Sequence, residues 1–145
     1  MLDPDNVITN AHMQKLAQEG LGDLFQALYD WYAFSEYEDV AGQYETALLA
    51  EGGQEDLWKQ AQSLGLVTHH TLTPKGSKHA GAWAVHKGYG VYVLKAGDWI
   101  LGVFNSGESL RTAIDEIQEV YGDSPDDEKL MYYMVPMGRW YAAWV

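Results

Sequence analysis

Residues 88–104 read GYGVYVLKAGDWILGVF, and they decide the fold class because two short strand-forming runs interrupt a helical pattern here. The runs GYGVYVLKAG (88–97) and DWILGVF (98–104) are rich in β-branched and aromatic residues. Ala96, Gly97 and Asp98, where the runs meet, are typical of a tight β-turn. The sequence therefore predicts a β-hairpin at the start of the C-terminal half.

The residues that follow the hairpin predict a helix. Ser106 or Asn105 can act as its N-cap, because a short polar side chain accepts a hydrogen bond from the first N–H groups of a helix. Apolar residues then recur at helical spacing between about residues 108 and 121. They are Leu110, Ala113, Ile114, Ile117 and Val120.

A second pair of strands is predicted at the C-terminal end. LMYYMV (130–135) and RWYAAWV (139–145) are apolar and aromatic, and they flank a turn at residues 136–138. The C-terminal half is thus predicted to be ββαββ, an antiparallel sheet with one packed helix.

The N-terminal half has the spacing of amphipathic helices instead. Apolar residues recur at three- and four-residue steps from Met13 to Tyr32, and glycines at 20 and 22 mark a break. Two more helices are predicted at about 36–50 and 54–64, each followed by glycine. The chain is therefore predicted to be α+β, with a helical subdomain at 1–86 and a ββαββ subdomain at 87–145 that share one core. The predicted core contacts are Trp31, Trp58, Leu110, Ile114 and Ile117.

Charge changes sign twice along the chain. Residues 1–56 carry twelve acidic residues and one lysine, residues 57–97 carry five lysines and no acidic residue, and residues 98–145 carry nine acidic and three basic residues. The formal net charge is −12 at pH 7. Such a charge repels nucleic acid and anionic membranes at long range and favours a basic partner.

Two features that the sequence lacks indicate the cellular compartment. There is no cysteine, which excludes disulfides and thiolate chemistry and favours a reducing cytoplasm. The start, MLDPDNVITNAHMQ, has no signal-peptide pattern, and no apolar run is long enough to span a membrane. We therefore expect a cytoplasmic protein without membrane association.

The sequence predicts no enzyme, no cofactor and no metal site. Gly88, Tyr89 and Gly90 open a strand rather than a phosphate-binding helix, and the serine of NSG (105–107) lacks the preceding glycine of a nucleophile elbow. Four histidines fall between residues 69 and 86, but no carboxylate or cysteine accompanies them as a zinc ligand. They are His69, His70, His79 and His86.

Residues 54–80 resemble the end of a winged-helix domain. A helix at 57–64 is followed by LGLV (64–67), a polar gap at 68–71 and LTPKG (72–76). The resemblance implies a recognition helix, a short wing, and a helix that Thr73 caps and Pro74 begins. It also implies an alternative function, a transcription regulator that binds DNA through the lysine-rich segment 57–97. The lysines for its phosphate contacts are Lys59, Lys75, Lys78 and Lys87.

Other features disfavour DNA binding. Glu55 and Asp56 stand at the start of the supposed recognition helix, and residues 57–97 contain no arginine. In size, acidity and lack of cysteine the chain is similar to phage anti-defence inhibitors, such as anti-CRISPR proteins, and to immunity proteins of nuclease toxins. This similarity implies a non-enzymatic inhibitor, a monomer or homodimer, that occupies the basic surface of a nuclease or nucleic-acid-binding complex. Such an inhibitor can act as a DNA mimic. The predicted acidic face comprises Asp23, Asp30, Glu36, Glu38, Asp39 and Glu45.

Overall fold

The computed structural model describes residues 2–32, 55–68, 72–121 and 130–137. The chain divides into two compact units, one of Met1–Met13 with Ala84–Val145 and one of Gln14–Trp83, which we call the sheet unit and the helical unit. Helices in the N-terminal half and an antiparallel sheet with a helix in the C-terminal half confirm the α+β class. The predicted subdomains at 1–86 and 87–145 stay a prediction, and residues 1–13 belong to the sheet unit. A core shared by both halves stays a prediction.

The helices and strands follow the predicted order. The helical elements are a 3-10 turn (Pro4–Asn6), α1 (Asn10–Leu16), a π-helical turn (Ala17–Leu21), α2 (22–32), α3 (Glu55–Ser63), α4 (Pro74–Lys87) and α5 (Gly107–Tyr121). The strands are β1 (Gly90–Ala96), β2 (Trp99–Phe104) and β3 (Leu130–Pro136). The predicted helix at 36–50 and the predicted strand at 139–145 lie outside the described residues. The structure thus describes ββαβ of the predicted ββαββ.

The sheet has β1 at its centre, with β2 and β3 antiparallel on either side. The predicted hairpin between β1 and β2 is confirmed, because Ala96 pairs with Trp99 and leaves a two-residue turn. Within that turn Gly97 has a φ of 56°. Leu101 is the extra residue of a β-bulge in β2, which interrupts the register of the pair.

One face of the sheet packs against α5 and forms the core of the sheet unit. The predicted core residues Leu110 and Ile114 are fully buried, and Ile117 packs partly buried at the edge of the core. Val120 is 74% exposed and does not join them, since it lies in the last turn of α5, beyond Ile117. The fully or largely buried members of this core are Val7, Val85, Tyr92, Leu94, Leu110 and Ile114.

Side chains of α5 hold the N-terminal segment in place. Arg111 donates from Nε to the carbonyl of Val7 at 2.9 Å and from a terminal nitrogen to the carbonyl of Asp5 at 3.0 Å. Gln118 donates from Nε2 to the carbonyl of Leu2 at 2.7 Å. Backbone carbonyls that would otherwise need water are therefore satisfied by α5. These bonds account for the place of residues 1–13 in the sheet unit.

Aromatic side chains fill the helical unit. Trp31 of α2 and Trp58 of α3 are buried, as predicted, and their ring centroids lie 5.1 Å apart at an edge-to-face angle of 67°. Phe25 of α2 stacks against His79 and Trp83 of α4, at centroid distances of 5.9 and 6.1 Å. Such pairs add about 0.5–1.5 kcal/mol each beyond the burial of their area. Aromatic contacts thus join α2 to both α3 and α4.

Helix ends in this unit follow the signals of the sequence. The predicted break after α1 occurs at Gly20, whose φ of 93° is non-helical. The predicted end of α3 occurs at Gly65, whose N–H donates to the carbonyl of Gln62 at 3.0 Å. The N–H of Leu66 donates to the carbonyl of Ala61 at 2.9 Å, which completes a Schellman cap. This cap requires the left-handed φ of 74° that Gly65 adopts.

The start of α4 is confirmed as predicted and packs closely on the end of α3. Pro74 is the first helical residue, and Thr73 Oγ1 accepts a hydrogen bond from the N–H of Gly76 at 3.0 Å. Thr73 also donates from its N–H to the carbonyl of Leu66 at 3.0 Å. A Cβ on Gly76 would overlap that same carbonyl oxygen. Only glycine therefore fits at this contact.

We expect Gly76→Ala to destabilise the protein by about 2–3 kcal/mol, because the backbone of Leu66 would have to move to admit the methyl group. Urea denaturation measures this loss as a lower midpoint.

Gly22→Ala is the matched control within the same unit. Gly22 has helical φ and ψ, and a Cβ there would meet only Trp83 and Ala17 at ordinary distances of 3.7 and 3.8 Å. This substitution should leave stability unchanged or raise it by about 0.5–1 kcal/mol, because alanine favours helix. Equal losses for the two variants would contradict the close approach at Gly76.

Candidate binding surfaces

The predicted acidic face falls partly on α2. Asp23 and Asp30 are exposed and stand seven residues apart, so they lie on the same side of the helix two turns from each other. Between them, Gln26 donates from Nε2 to Asp30 Oδ1 at 3.3 Å and accepts from the indole N–H of Trp83 at 3.1 Å. The other residues of the predicted face lie outside the described residues. They are Glu36, Glu38, Asp39 and Glu45.

A second acidic surface lies on α5, and the sequence prediction missed it. Asp115, Glu116 and Glu119 are exposed, whereas Leu110 and Ile114 of the same helix are buried on the sheet. At 1.5 Å of rise per residue, Asp115 and Glu119 lie about 6 Å apart along the helix axis. The three carboxylates form the α5 acidic face. Its signal was present in the sequence, because acidic residues alternate there with the apolar residues at helical spacing.

The four lysines of the DNA-binding alternative lie on two helices. Lys59 is exposed on α3, Lys75 and Lys78 stand one turn apart near the start of α4, and Lys87 is the last residue of α4. Lys75 donates from Nζ to the carbonyl of Leu64 at 3.0 Å. This ammonium group therefore helps to hold the start of α4 to the end of α3, and a phosphate would have to compete for it.

The connection from α3 to α4 contains an antiparallel β-bridge between Val67 and Leu72. It occurs where the resemblance to winged-helix domains implies two short strands, and the wing residues 69–71 lie outside the described residues. Glu55 and Asp56 occupy the first turn of α3. Acidic groups there stabilise the positive end of the helix dipole and would repel a phosphate.

Polar side chains join the N-termini of α1 and α5. Glu108 accepts from the N–H of Asn10 at Oε1, at 2.7 Å, and from the N–H of Ala11 at Oε2, at 3.2 Å. In return, Asn10 Oδ1 accepts from the N–H of Gly107 at 3.2 Å. Each helix thus caps the other, and we call Asn10 and Glu108 the reciprocal cap. Ser106 Oγ also accepts from the N–H of Ser109 at 3.1 Å, which confirms the predicted N-cap.

Two titratable side chains at or near the reciprocal cap, Glu108 and His86, have shifted pKa values. Burial is the largest influence on Glu108 and raises its pKa, but backbone hydrogen bonds, with Asn10 first among them, and the charge of Arg111 together bring the pKa below its ordinary value. Burial lowers the pKa of His86, Lys87 lowers it further, and Glu108 opposes both. The carboxylate of Glu108 is thus committed to backbone N–H groups, so helix capping accounts for this polar cluster.

The described part of the chain has neither a cluster of metal ligands nor a membrane-spanning helix. Within residues 2–32, 55–68, 72–121 and 130–137, no three His, Cys, Asp or Glu side chains are grouped to hold a metal ion. His69 and His70 lie outside these ranges, so the prediction of no metal stays a prediction. Over the same ranges, no helix combines the length and apolar character needed to cross a membrane.

Comparison with known proteins places this chain in no family. No protein-family model, no curated protein and no solved structure matches this chain. The resemblance of residues 54–80 to winged-helix domains therefore stays a hypothesis, as does the similarity to phage inhibitors and immunity proteins. A functional proposal rests on the exposed surfaces themselves.

We expect Glu108→Gln to lower stability at pH 7 by about 1 kcal/mol, because one neutral oxygen replaces two charged acceptors at the start of α1. The pKa of Glu108 is lower in the folded protein than in the unfolded chain. Its carboxylate therefore stabilises the fold above about pH 4.3, and this stabilisation is lost as the pH falls through the folded pKa. Urea denaturation should show the difference between wild type and variant shrinking toward about pH 3.

Glu116→Gln provides the control, because it removes an exposed carboxylate from the same helix. It should change stability by less than about 0.5 kcal/mol at either pH. A Glu108→Gln difference that is the same at both pH values would exclude an ionised cap.

Proposed function

We propose that this protein is a non-enzymatic acidic binding protein that inhibits a nucleic-acid-handling partner by protein–protein contact. The observation that carries the proposal is the α5 acidic face, in which Asp115, Glu116 and Glu119 are exposed on a helix fixed to the sheet through Leu110 and Ile114. Carboxylates on a packed helix keep their spacing, so a basic partner meets a fixed pattern of charge.

Long-range electrostatics supports the same proposal. A formal net charge of −12 accelerates encounter with a basic surface and slows encounter with nucleic acid. Asp115 and Glu119 are separated by about 6 Å along the axis of α5. Successive phosphates of one DNA strand are about 3.4 Å apart along the duplex axis. The acidic face can therefore stand in for every second phosphate, as a DNA mimic does.

The acidic surface of α2 also supports the proposal. Asp23 and Asp30 are exposed on one side of that helix, about 10 Å apart along its axis. Gln26, which bonds both Asp30 and the buried Trp83, orients the carboxylate of Asp30. The lack of cysteine favours a reducing cytoplasm as the place where the partner is met.

A transcription regulator that binds DNA is the alternative function. The β-bridge between Val67 and Leu72, with α3 before it and α4 after it, favours this alternative because it has the order of a winged-helix domain. The acidic first turn of α3 and the bond from Lys75 to the carbonyl of Leu64 weigh against it.

Two sets of substitutions separate the functions. The acidic set neutralises the α5 face with Asp115→Asn, Glu116→Gln and Glu119→Gln, and the lysine set is Lys59→Gln, Lys78→Gln and Lys87→Gln. Lys75 is kept because of its structural bond. We expect wild type and the lysine set, used as baits on lysate of the source organism, to retain one basic protein that the acidic set loses. Because screened charges carry this contact, salt of about 0.5 M should release that protein.

Added wild-type protein should also suppress nucleic-acid binding or cleavage by the captured protein, whereas the acidic set should not. Fluorescence anisotropy with a labelled random DNA duplex tests the alternative directly. Tight, salt-sensitive duplex binding that the lysine set abolishes would refute the inhibitor and support the regulator.

A further inference from the structure

The face of the sheet that α5 does not cover is apolar and exposed. Val93 lies at its centre and is 8% exposed, with Val103 of β2 and Tyr133 of β3 directly beside it. Four large side chains around this centre are between 40% and 66% exposed. They are Ile100, Val103, Met131 and Tyr133. We call this surface the open sheet face; its members are Val91, Val93, Lys95, Ile100, Val103, Met131, Tyr133 and Val135.

The chemistry of the open sheet face differs from that of the rest of the chain. A sheet with one wet face normally alternates apolar and polar residues, whereas strands covered on both faces are apolar throughout. Here the positions that face away from α5 are nearly all apolar, and no carboxylate is among them. The single charge is Lys95, whose Nζ lies 5.9 Å from the centre of the Tyr133 ring, within cation–π range. This face has the composition of a covered one.

We infer that the open sheet face binds a second copy of this chain to form a two-fold symmetric homodimer. The exposed area supports this occupant. With these exposed fractions, the open sheet face offers roughly 500–600 Å² per copy, at the upper end of the largest apolar patch on a typical monomer. Two copies packed through this face would therefore bury roughly 1,000–1,200 Å² between them. This area reaches the total of about 1,000 Å² that a specific interface should bury.

Charge favours a second copy over the basic partner of the proposed function. A basic partner gains from carboxylates, and the open sheet face has none. A two-fold axis perpendicular to the strands and passing by Val93 stacks the two β1 strands antiparallel. Each Lys95, two residues from Val93, then lies about 13 Å along the strand from its symmetry mate, beyond the screening distance of about 8 Å. The same axis brings Val103 opposite Val103 of the other copy.

Dimer formation and the proposed partner contact use opposite sides of the sheet. α5 packs on the face that contains Tyr92 and Leu94, so the α5 acidic face points away from the second copy. The dimer therefore displays two acidic faces at once. The inferred dimer does not depend on the proposed function, because apolar contact drives it.

Val103→Lys tests the inference, because it introduces two like charges beside the two-fold axis. Sedimentation velocity of wild type at about 100 µM chain should give twice the mass of one chain, with a Kd on the order of micromolar. Val103→Lys should give a monomer with unchanged circular dichroism. Val120→Lys is the control: it changes an exposed valine of α5 to the same residue, and the dimer should persist. Because apolar contact drives association and salt screens the net charge, the wild-type dimer should tighten at about 0.5 M salt.

Should Val103→Lys fail to fold, a cross-linking variant tests the same contact. The chain contains no cysteine, so Val103→Cys introduces a single thiol. A short bismaleimide should join two Val103→Cys chains efficiently and leave Val120→Cys chains single. A wild-type monomer at about 100 µM, or equal loss of dimer in the two lysine variants, would overturn the inference. So would a wild-type monomer that dimerises only after removal of residues 138–145, because the chain itself would then cover the face.

Discussion

The reciprocal cap is the interaction on which the sheet unit depends. An α-helix leaves its first N–H groups without partners, and here two helices begin side by side and satisfy each other's donors through Asn10 and Glu108. Gly107 makes this approach possible, since a Cβ there would overlap the carbonyl oxygen of Ile8. Once the helix starts are joined, the bonds from Arg111 align the preceding segment with α5, and Val7 completes the core. The short N-terminal segment is thereby held in the sheet unit.

The sheet separates two kinds of surface that would interfere with each other if mixed. On one side, α5 buries Tyr92 and Leu94 and turns its carboxylates outward. On the other, the strands present apolar side chains without a carboxylate among them. A carboxylate in an apolar contact would lose hydration without compensation, and an apolar patch within an acidic surface would weaken its field. The acidic and the apolar surface thus lie on opposite sides of one small sheet, and each has a uniform chemistry.

Several polar side chains have structural roles in the fold. Ser106 and Thr73 cap helices, Glu108 binds backbone N–H groups, and Lys75 bonds the carbonyl of Leu64. Among the described residues of the sheet unit, the α5 acidic face and the apolar open sheet face stay exposed.

The sequence by itself determined the class α+β, the hairpin at Gly97, the cap at Thr73 and the end of α3 at Gly65, because each depends on neighbours within a few positions. Only the tertiary structure decided the bonds between Asn10 and Glu108, which stand 98 residues apart, because no local pattern encodes such a contact. It also decided which face of the strands stays exposed. Alternating valines and tyrosines predict a strand, but burial of either face depends on where α5 returns to pack, and that is fixed by contacts distant in sequence.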